Sequence, residues 1–520
     1  MTRQQAMQGP DRVAIRERDR TTTYAELVAA ADRLAGTLAD AGLATGDRVA
    51  IWLPSRAETA VAVLACQRNG YVAVPSLHRD HTVGEVVELM GQVNAVALIW
   101  QRGYGADADR HDIESAVADS AQLKFMVAVP SVPAAGVFEE LAGGTLPDLA
   151  EDPNAVCYLA FTSGTTGAPK GVMHSHNTLL SPVRALVRDW SLDQDSRIYS
   201  MSPLSHNLGF GAMLLALVIG AELTVHDLPR GGSLVERLRS TGATFAFGVP
   251  THAIDLLAEL EASAGDLPQL RGFRISGAAV PPVVAEGLLR AGVMPQSGYG
   301  MTEAGSHHYT LPTDEVDMIV GTSGRACDGV EVRIVDTEDP ERELEPGQTG
   351  QIVIRGASLT LGYFDDQQST ERSFNRAGWF LTGDLGWRDE QGYLRITGRK
   401  KDVIIRGGHN IFPARIENLV LRHPAVARAA AIAAPDERLG ERVCLVVQLH
   451  PGEQVEADEL LSFLDEVGLS KYDMPEYYAV VPAMPLLPSG KVFKRRLVDQ
   501  VTSGEVAPSS VRFVRQDKVV

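Results

Sequence analysis

Residues 161 to 171 read FTSGTTGAPKG. Thr162, Ser163, Thr165 and Thr166 supply hydroxyl donors, and Lys170 adds a mobile positive charge. Gly164, Gly167 and Gly171 let backbone N–H groups come close to a ligand. The combination suits a polyanion, most simply the phosphate chain of a nucleotide. It is not a Walker loop, because the lysine stands three residues after Gly167 and is followed by Gly171 rather than Ser or Thr. Composition alone also describes a flexible connector. The flanking CYLAF, however, reads as a buried strand, and the end of a strand is where open α/β sheets bind ligands.

Other stretches add chemistry of the same kind. SGYGMTEAG, 297 to 305, offers Tyr299 to stack on a base, Thr302 as a hydroxyl and Glu303 as a hard oxygen ligand for Mg²⁺. By itself Glu303 equally suits a helix N-terminus. LTGDLG, 381 to 386, puts Asp384 in a tight turn, a good acceptor for a ribose diol. PLLPSGKVFKR, 485 to 495, carries Lys491, which in isolation reads as a turn lysine. His307 and His308 are adjacent on an expected strand and so face opposite sides, which argues against joint metal ligation.

The elements that must position these residues follow from periodicity. Residues 24 to 41 show helical spacing, and VAIWLP (49 to 54) and YVAVP (71 to 75) read as short buried strands. The alternation of helix and apolar strand recurs with the apolar helix 210 to 221, LTVHD, TFAFGVP (244 to 250) and RGFRISG (271 to 277), which implies parallel sheet. After about 320, VEVRIVD, GQIVIRG and GYLRITG alternate apolar and polar residues, as antiparallel strands of a small barrel do. A compact α+β unit begins near 402, and the tail after 503, polar and with Pro508, is expected to be mobile.

Size and composition set the bounds. A chain of 520 residues exceeds one core, so two or more domains are expected. Acids outnumber bases 66 to 48, a net charge of −18, which argues against a nucleic-acid binder. The four cysteines, Cys66, Cys157, Cys327 and Cys444, form no CxxC pair, and no apolar run approaches the ~20 residues of a membrane span. With no signal-peptide pattern at MTRQQAMQGPDR, the expected location is cytoplasmic.

These stretches, in this order, resemble the adenylate-forming superfamily of acyl-CoA synthetases, nonribosomal-peptide adenylation domains and luciferases. FTSGTTGAPKG resembles its phosphate loop, YGMTE its adenine and magnesium motif, and TGD its ribose motif. GRKKDVIIRGGHNIFPARIE, 398 to 417, resembles its hinge, and PLLPSGKVFKR its C-terminal catalytic motif. The resemblance implies an α/β fold: an N-terminal domain, 1–398, of two layered α/β subdomains plus a β-barrel, a hinge at 399–401, and a small mobile α+β domain, 402–520. It also implies two half-reactions: a carboxylate attacks ATP to give acyl-AMP and pyrophosphate, then coenzyme A displaces AMP.

Mapped onto this chain, the resemblance places Thr162, Ser163, Gly164, Thr165, Thr166, Gly167 and Lys170 on the phosphates, with Glu303 on Mg²⁺ and Thr302 on the α-phosphate. Gly277, Ala278, Ala279, Tyr299, Gly300 and Met301 frame adenine, and Asp384, Ile396 and Arg399 the ribose. Lys491 bridges carboxylate and phosphate, and Lys401 occupies the hinge. Arg406, Gly407 and Gly408 face coenzyme A. SPLSHNLGFG, 202 to 211, resembles the segment that gates the acyl pocket, which assigns His206, Asn207, Gly211, Val249 and Gly298 to the acid; a buried, satisfied His206 is the alternative. Gly209 and Gly211 leave room for a bulky acid. No Asp lies between 202 and 211 to pair an α-ammonium, so a hydrophobic, non-amino acid is expected. GGHNIFP is most like bacterial ligases for alicyclic, aromatic or medium-length acids. Transfer of the adenylate to a carrier protein or a separate thiolation enzyme stays open, and a homodimer is compatible with the sequence.

Overall fold

The computed structural model describes residues 1–513 except 119, 121, 134, 135, 163–168, 230, 264 and 488–490. Two sheets and the helices between and around them build the large N-terminal domain. The first sheet runs Phe125–Val129, Ala95–Gln101, Arg48–Trp52, Val72–Val74, Val156–Thr162, Lys170–Ser175, parallel except for its last pair. The second runs Arg325–Ala326, Gly305–Tyr309, Met294–Met301, Gly272–Ile275, Phe245–Gly248, Arg197–Ser200, Glu222–Val225, Val13–Glu17, Arg20–Thr23. Its central strands are parallel, as their near-continuous apolar sequences require for burial on both faces.

The helix Tyr24–Asp40 starts where the chemistry dictates. Thr23 Oγ1 accepts from the Glu26 N–H, and the Glu26 carboxylate accepts from the Thr23 N–H at 2.7 Å, a reciprocal cap. The helix Asn207–Ile219 is apolar on nearly every side, so both sheets can pack on it. Phe210, Met213 and Leu215 share one core with Val49, Ile51 and Tyr158 of the first sheet and Ile198, Leu223 and Phe247 of the second.

The segment expected as a barrel is an antiparallel meander of Val330–Val335, Gly350–Gly356, Phe380–Arg388 and Leu394–Arg399, whose outer strands do not pair with each other among the described residues. Its apolar face, with Ile352, Phe380 and Leu394, packs on Tyr299. Beyond Arg399 the small C-terminal domain forms a separate sheet with helices Pro413–Val420, Ala457–Glu466 and Lys494–Ser503. Among the described residues one ion pair joins it to the large domain, Arg428 to Asp255 at 3.2 Å.

The tail corrects the sequence expectation. Ser509–Ser510 adds a strand to Tyr477–Val480, and Val511 and Phe513 pack on the small domain's core, so the chain is tied down well past 503. Two apolar residues suffice to anchor what composition alone reads as a loose end. All four cysteines are buried free thiols. Among the described residues no helix is long and apolar enough to cross a membrane.

Candidate active site

Parallel strands aim their carboxyl ends at one edge of the second sheet. Phe245–Gly248 delivers Val249, Gly272–Ile275 delivers Ser276 and Gly277, and Met294–Met301 delivers Thr302 and Glu303. A cavity of about 200 Å³ opens there, and Gly277, Gly300, Met301, Thr302, Val249, His206, Asn207 and Gly211 all line it. Among the described residues the small domain contributes one lining residue, Lys491.

Gly277 makes this entry possible. Its φ of +96° is open to glycine and strained for other residues, and a Cβ there would meet Lys491 Cε at 3.0 Å. Lys491 is in no ion pair among the described residues. Burial, with Arg399 adding repulsion and Asp384 opposing it, pulls its ammonium down to about 8.

Three of the residues assigned to the nucleotide come together, Tyr299, Asp384 and Arg399. Tyr299 Oη donates to Asp384 Oδ2 at 2.8 Å, and Arg399 Nε meets Asp384 Oδ1 at 3.0 Å. Ile396 packs beside Tyr299. Asp384 does not sit in a tight turn. It lies inside the Phe380–Arg388 strand, in a bulge opposite Ile352 where Gly383 turns left-handed at φ +73°. The bulge re-aims the carboxylate towards Tyr299, which a regular ladder would not.

Thr302 is held through its backbone: His174 Nε2 lies 2.7 Å from its carbonyl oxygen. Burial brings His174 down to about 4, so the imidazole is neutral and its N–H donates. Tyr363 Oη donates to Glu303 Oε1 at 3.0 Å, and burial raises the Glu303 carboxyl above its usual range. Lys170 Nζ stands 4.8 Å from the Tyr363 ring, so Lys170 and Glu303 meet on either side of one tyrosine. Thr162 pairs with Lys170 across the hairpin. The expected phosphate-contacting residues Ser163, Gly164, Thr165, Thr166 and Gly167 lie outside the described residues. Ala278 and Ala279 follow Gly277 in an exposed turn.

Among the residues assigned to the acid, His206 stacks on His78 with ring centres 3.9 Å apart, and His78 Nδ1 lies 3.0 Å from Ser205 Oγ. The buried His206 Nε2 has no hydrogen-bond partner among the described residues. Burial and nearby Lys491 bring His206 down to about 4. Asn207 Oδ1 accepts from Tyr158 Oη at 2.8 Å.

Among the glycines, Gly211 opens space, with nothing within 4 Å of an added Cβ. Gly209 does not: a Cβ there would lie 2.2 Å from the Pro203 carbonyl, so it serves close packing. Gly298 does not line the cavity either. It sits against the Arg274 guanidinium, 3.1 Å from an added Cβ.

His307 and His308 do not face opposite sides. Pairing slips between Tyr299 with His308 and Gly300 with Ser306, which leaves His307 as a bulge and brings the two Nδ1 atoms to 2.8 Å. No cluster of three metal-binding side chains occurs among the described residues.

Lys401 is exposed in the short turn Lys400–Asp402. Arg406 is engaged by Glu476 and by the carbonyls of Met474 and Tyr472. Gly407 and Gly408 form the tip of the hairpin Ile404–Arg406 and His409–Ile411. None of these four residues lines the cavity. Residues that the sequence did not single out are Arg274, His78, His174 and Tyr363. Only Arg274 left a trace, as a lone charge in an otherwise apolar strand.

Two family models match the chain: AMP-binding enzyme over residues 2–364 and AMP-binding enzyme C-terminal domain over 415–491. The chain is 33% identical to the medium-chain fatty-acid–CoA ligase of Escherichia coli over 93% of this chain and 87% of that protein. It is 32% identical to the salicylyl-CoA synthase / salicylate adenylyltransferase of a Streptomyces species, over 94% of this chain and 91% of that protein. The solved o-succinylbenzoate CoA synthetase of Bacillus subtilis, in complex with its acyl-adenylate, superposes with a TM-score of 0.80 at 28% identity, covering 95% of this chain and 97% of that one. The chain thus belongs to the AMP-binding enzymes of the adenylate-forming superfamily and is an AMP-forming acyl-CoA synthetase, which joins a carboxylic acid first to AMP and then to coenzyme A.

Proposed function

We propose that the acid is hydrophobic and non-amino, and that Lys491 makes its activation possible. The observation that carries this reading is the entry of Lys491 into the cavity beside Gly277, where Gly300 and Thr302 also reach. A carboxylate attacking the α-phosphate is one anion approaching another, so fixed positive charge must offset their repulsion. At about 8, Lys491 is mostly protonated near pH 7 and supplies that charge, with no carboxylate paired to it among the described residues. None of the described residues lining the cavity is acidic, so an α-ammonium would have no counter-charge from them.

In this assignment Lys170 and the 162–167 loop hold the outer phosphates, and Thr302 touches the α-phosphate. Gly277, Ala278, Ala279 and Tyr299 frame adenine. Asp384 accepts the ribose hydroxyls, and the lone pairs left after its bonds to Tyr299 and Arg399 suffice for that. Glu303 is the residue that would hold Mg²⁺, since its buried carboxylate is stabilised in the ionised form by a cation. When bound, the ion neutralises phosphate charge.

Arg399–Lys401 acts as a hinge. Rotation withdraws Lys491 after adenylation and brings the Gly407–Gly408 turn to the site for the pantetheine arm. The bonds that occupy Arg406 make it a brace for that turn. The test is pyrophosphate release across a panel of carboxylic acids, with adenylate and thioester quantified with and without coenzyme A. Release that follows amino acids instead overturns the acid class. A thioester formed on a carrier protein in preference to coenzyme A would reassign the acceptor.

A further inference from the structure

We infer that Arg274 receives a second oxygen-bearing group of the acid, at the end away from the carboxylate that is activated. The inference rests on the acid-activating reading above and narrows the substrate to acids that are bifunctional: an apolar body with a distal hydrogen-bond acceptor.

Strand geometry places the guanidinium. Along Gly272–Ile275, Phe273 and Ile275 point into a core with Leu256 and Leu288. Arg274 points the opposite way and, with Ser276, lines the cavity. Its neighbours in the sheet are Phe247 on one side and Gln296 on the other. Gly298, two residues beyond Gln296, leaves the space its head occupies.

Arg274 is only 1% exposed, yet it has no carboxylate partner among the described residues. Nη1 donates to the Gln296 side-chain oxygen. Nε and Nη2 have no hydrogen-bond partner among the described residues, and neither does Gln296 Nε2 or His307 Nε2. The Tyr309 ring lies 5.2 Å from the guanidinium carbon, but its hydroxyl is committed to Asp189 at 2.8 Å.

A buried cation with unmet donors is costly, and the strand could hold an apolar residue in its place. The two unmet guanidinium nitrogens of Arg274, which lines a cavity whose walls include Val183, Leu186, Leu214 and Phe247, are complementary to an acceptor oxygen that no described residue provides. The planar fork of arginine suits a carboxylate or a carbonyl. A site built to hydrogen-bond such a group rejects the analogue that lacks it, because the donors are then left bare.

The experiment is ATP–pyrophosphate exchange with straight-chain acids of matched length that end in a methyl, a ketone or a second carboxylate. The expected result is that one of the oxygen-ended acids exceeds the methyl-ended acid in kcat/KM by at least about tenfold. The ketone and carboxylate arms distinguish a neutral from an anionic partner. Arg274→Met should reduce that advantage to about threefold or less while retaining exchange with the methyl-ended acid. Should the variant not fold, the wild-type series decides alone. A wild type that uses the methyl-ended acid equally well or better overturns the inference and leaves the acid-activating reading standing, as does a preference that survives in Arg274→Met. Exchange that no acid stimulates overturns both.

Discussion

If Lys491 supplies the charge that offsets carboxylate–phosphate repulsion, adenylation must fail as that charge titrates. Burial is the main cause of its lowered value of about 8, with Arg399 pushing down and Asp384 holding up. His206 and His174, which line the same cavity, sit at about 4 and are neutral throughout the range concerned, and Arg274 is lowered only to about 10. The sign follows directly. Below about 8 the ammonium is present, and above it the fraction protonated falls tenfold per pH unit. The free-enzyme parameter, kcat/KM for ATP in pyrophosphate exchange, should be flat near neutrality, halved near pH 8 and down to about one-tenth near pH 9. In kcat the same limb should move to higher pH, because bound nucleotide adds negative charge beside the lysine and favours its protonated form. Lys491→Arg keeps the charge at all accessible pH values, so whatever activity remains should lose the alkaline limb. An unchanged limb in Lys491→Arg refutes the assignment, since another group would then be titrating.

Other outcomes follow from the same geometry. Lys491→Ala should abolish pyrophosphate exchange and leave thiolation of supplied acyl-AMP largely intact; normal exchange in that variant removes Lys491 from the mechanism. Gly277→Ala places a methyl 3.0 Å from Lys491 Cε and strains a φ of +96°, so exchange should fall by about 10- to 100-fold with the fold retained, as judged by thermal melting. Lys401→Pro should harm thiolation more than adenylation, and equal losses in both half-reactions count against the hinge.

The parts of this site that were legible in sequence are those whose chemistry is carried by contiguous residues. Thr162 and Lys170 bracket one loop, and YGMTE delivers Tyr299, Thr302 and Glu303 within five positions. What stayed hidden depends on residues far apart in the chain. Tyr363 reaches Glu303 across 60 residues, and His174 reaches the Thr302 carbonyl across 128. A bulge defeated the period-two reading at His307, because one extra residue reverses the face a side chain takes, and another put Asp384 inside a strand where a tight turn was expected. Gly298 was assigned to the acid, whereas it sits against Arg274, a residue whose burial no local pattern announces.

The ion pair between Arg428 and Asp255 has a practical consequence. The Asp255 side chain is 60% exposed, and a bond of that kind contributes roughly 0–1 kcal/mol and weakens as salt shortens the Debye length to about 8 Å at physiological ionic strength. Electrolyte concentration thereby tunes the strength of this one charged contact between the large domain and the small one.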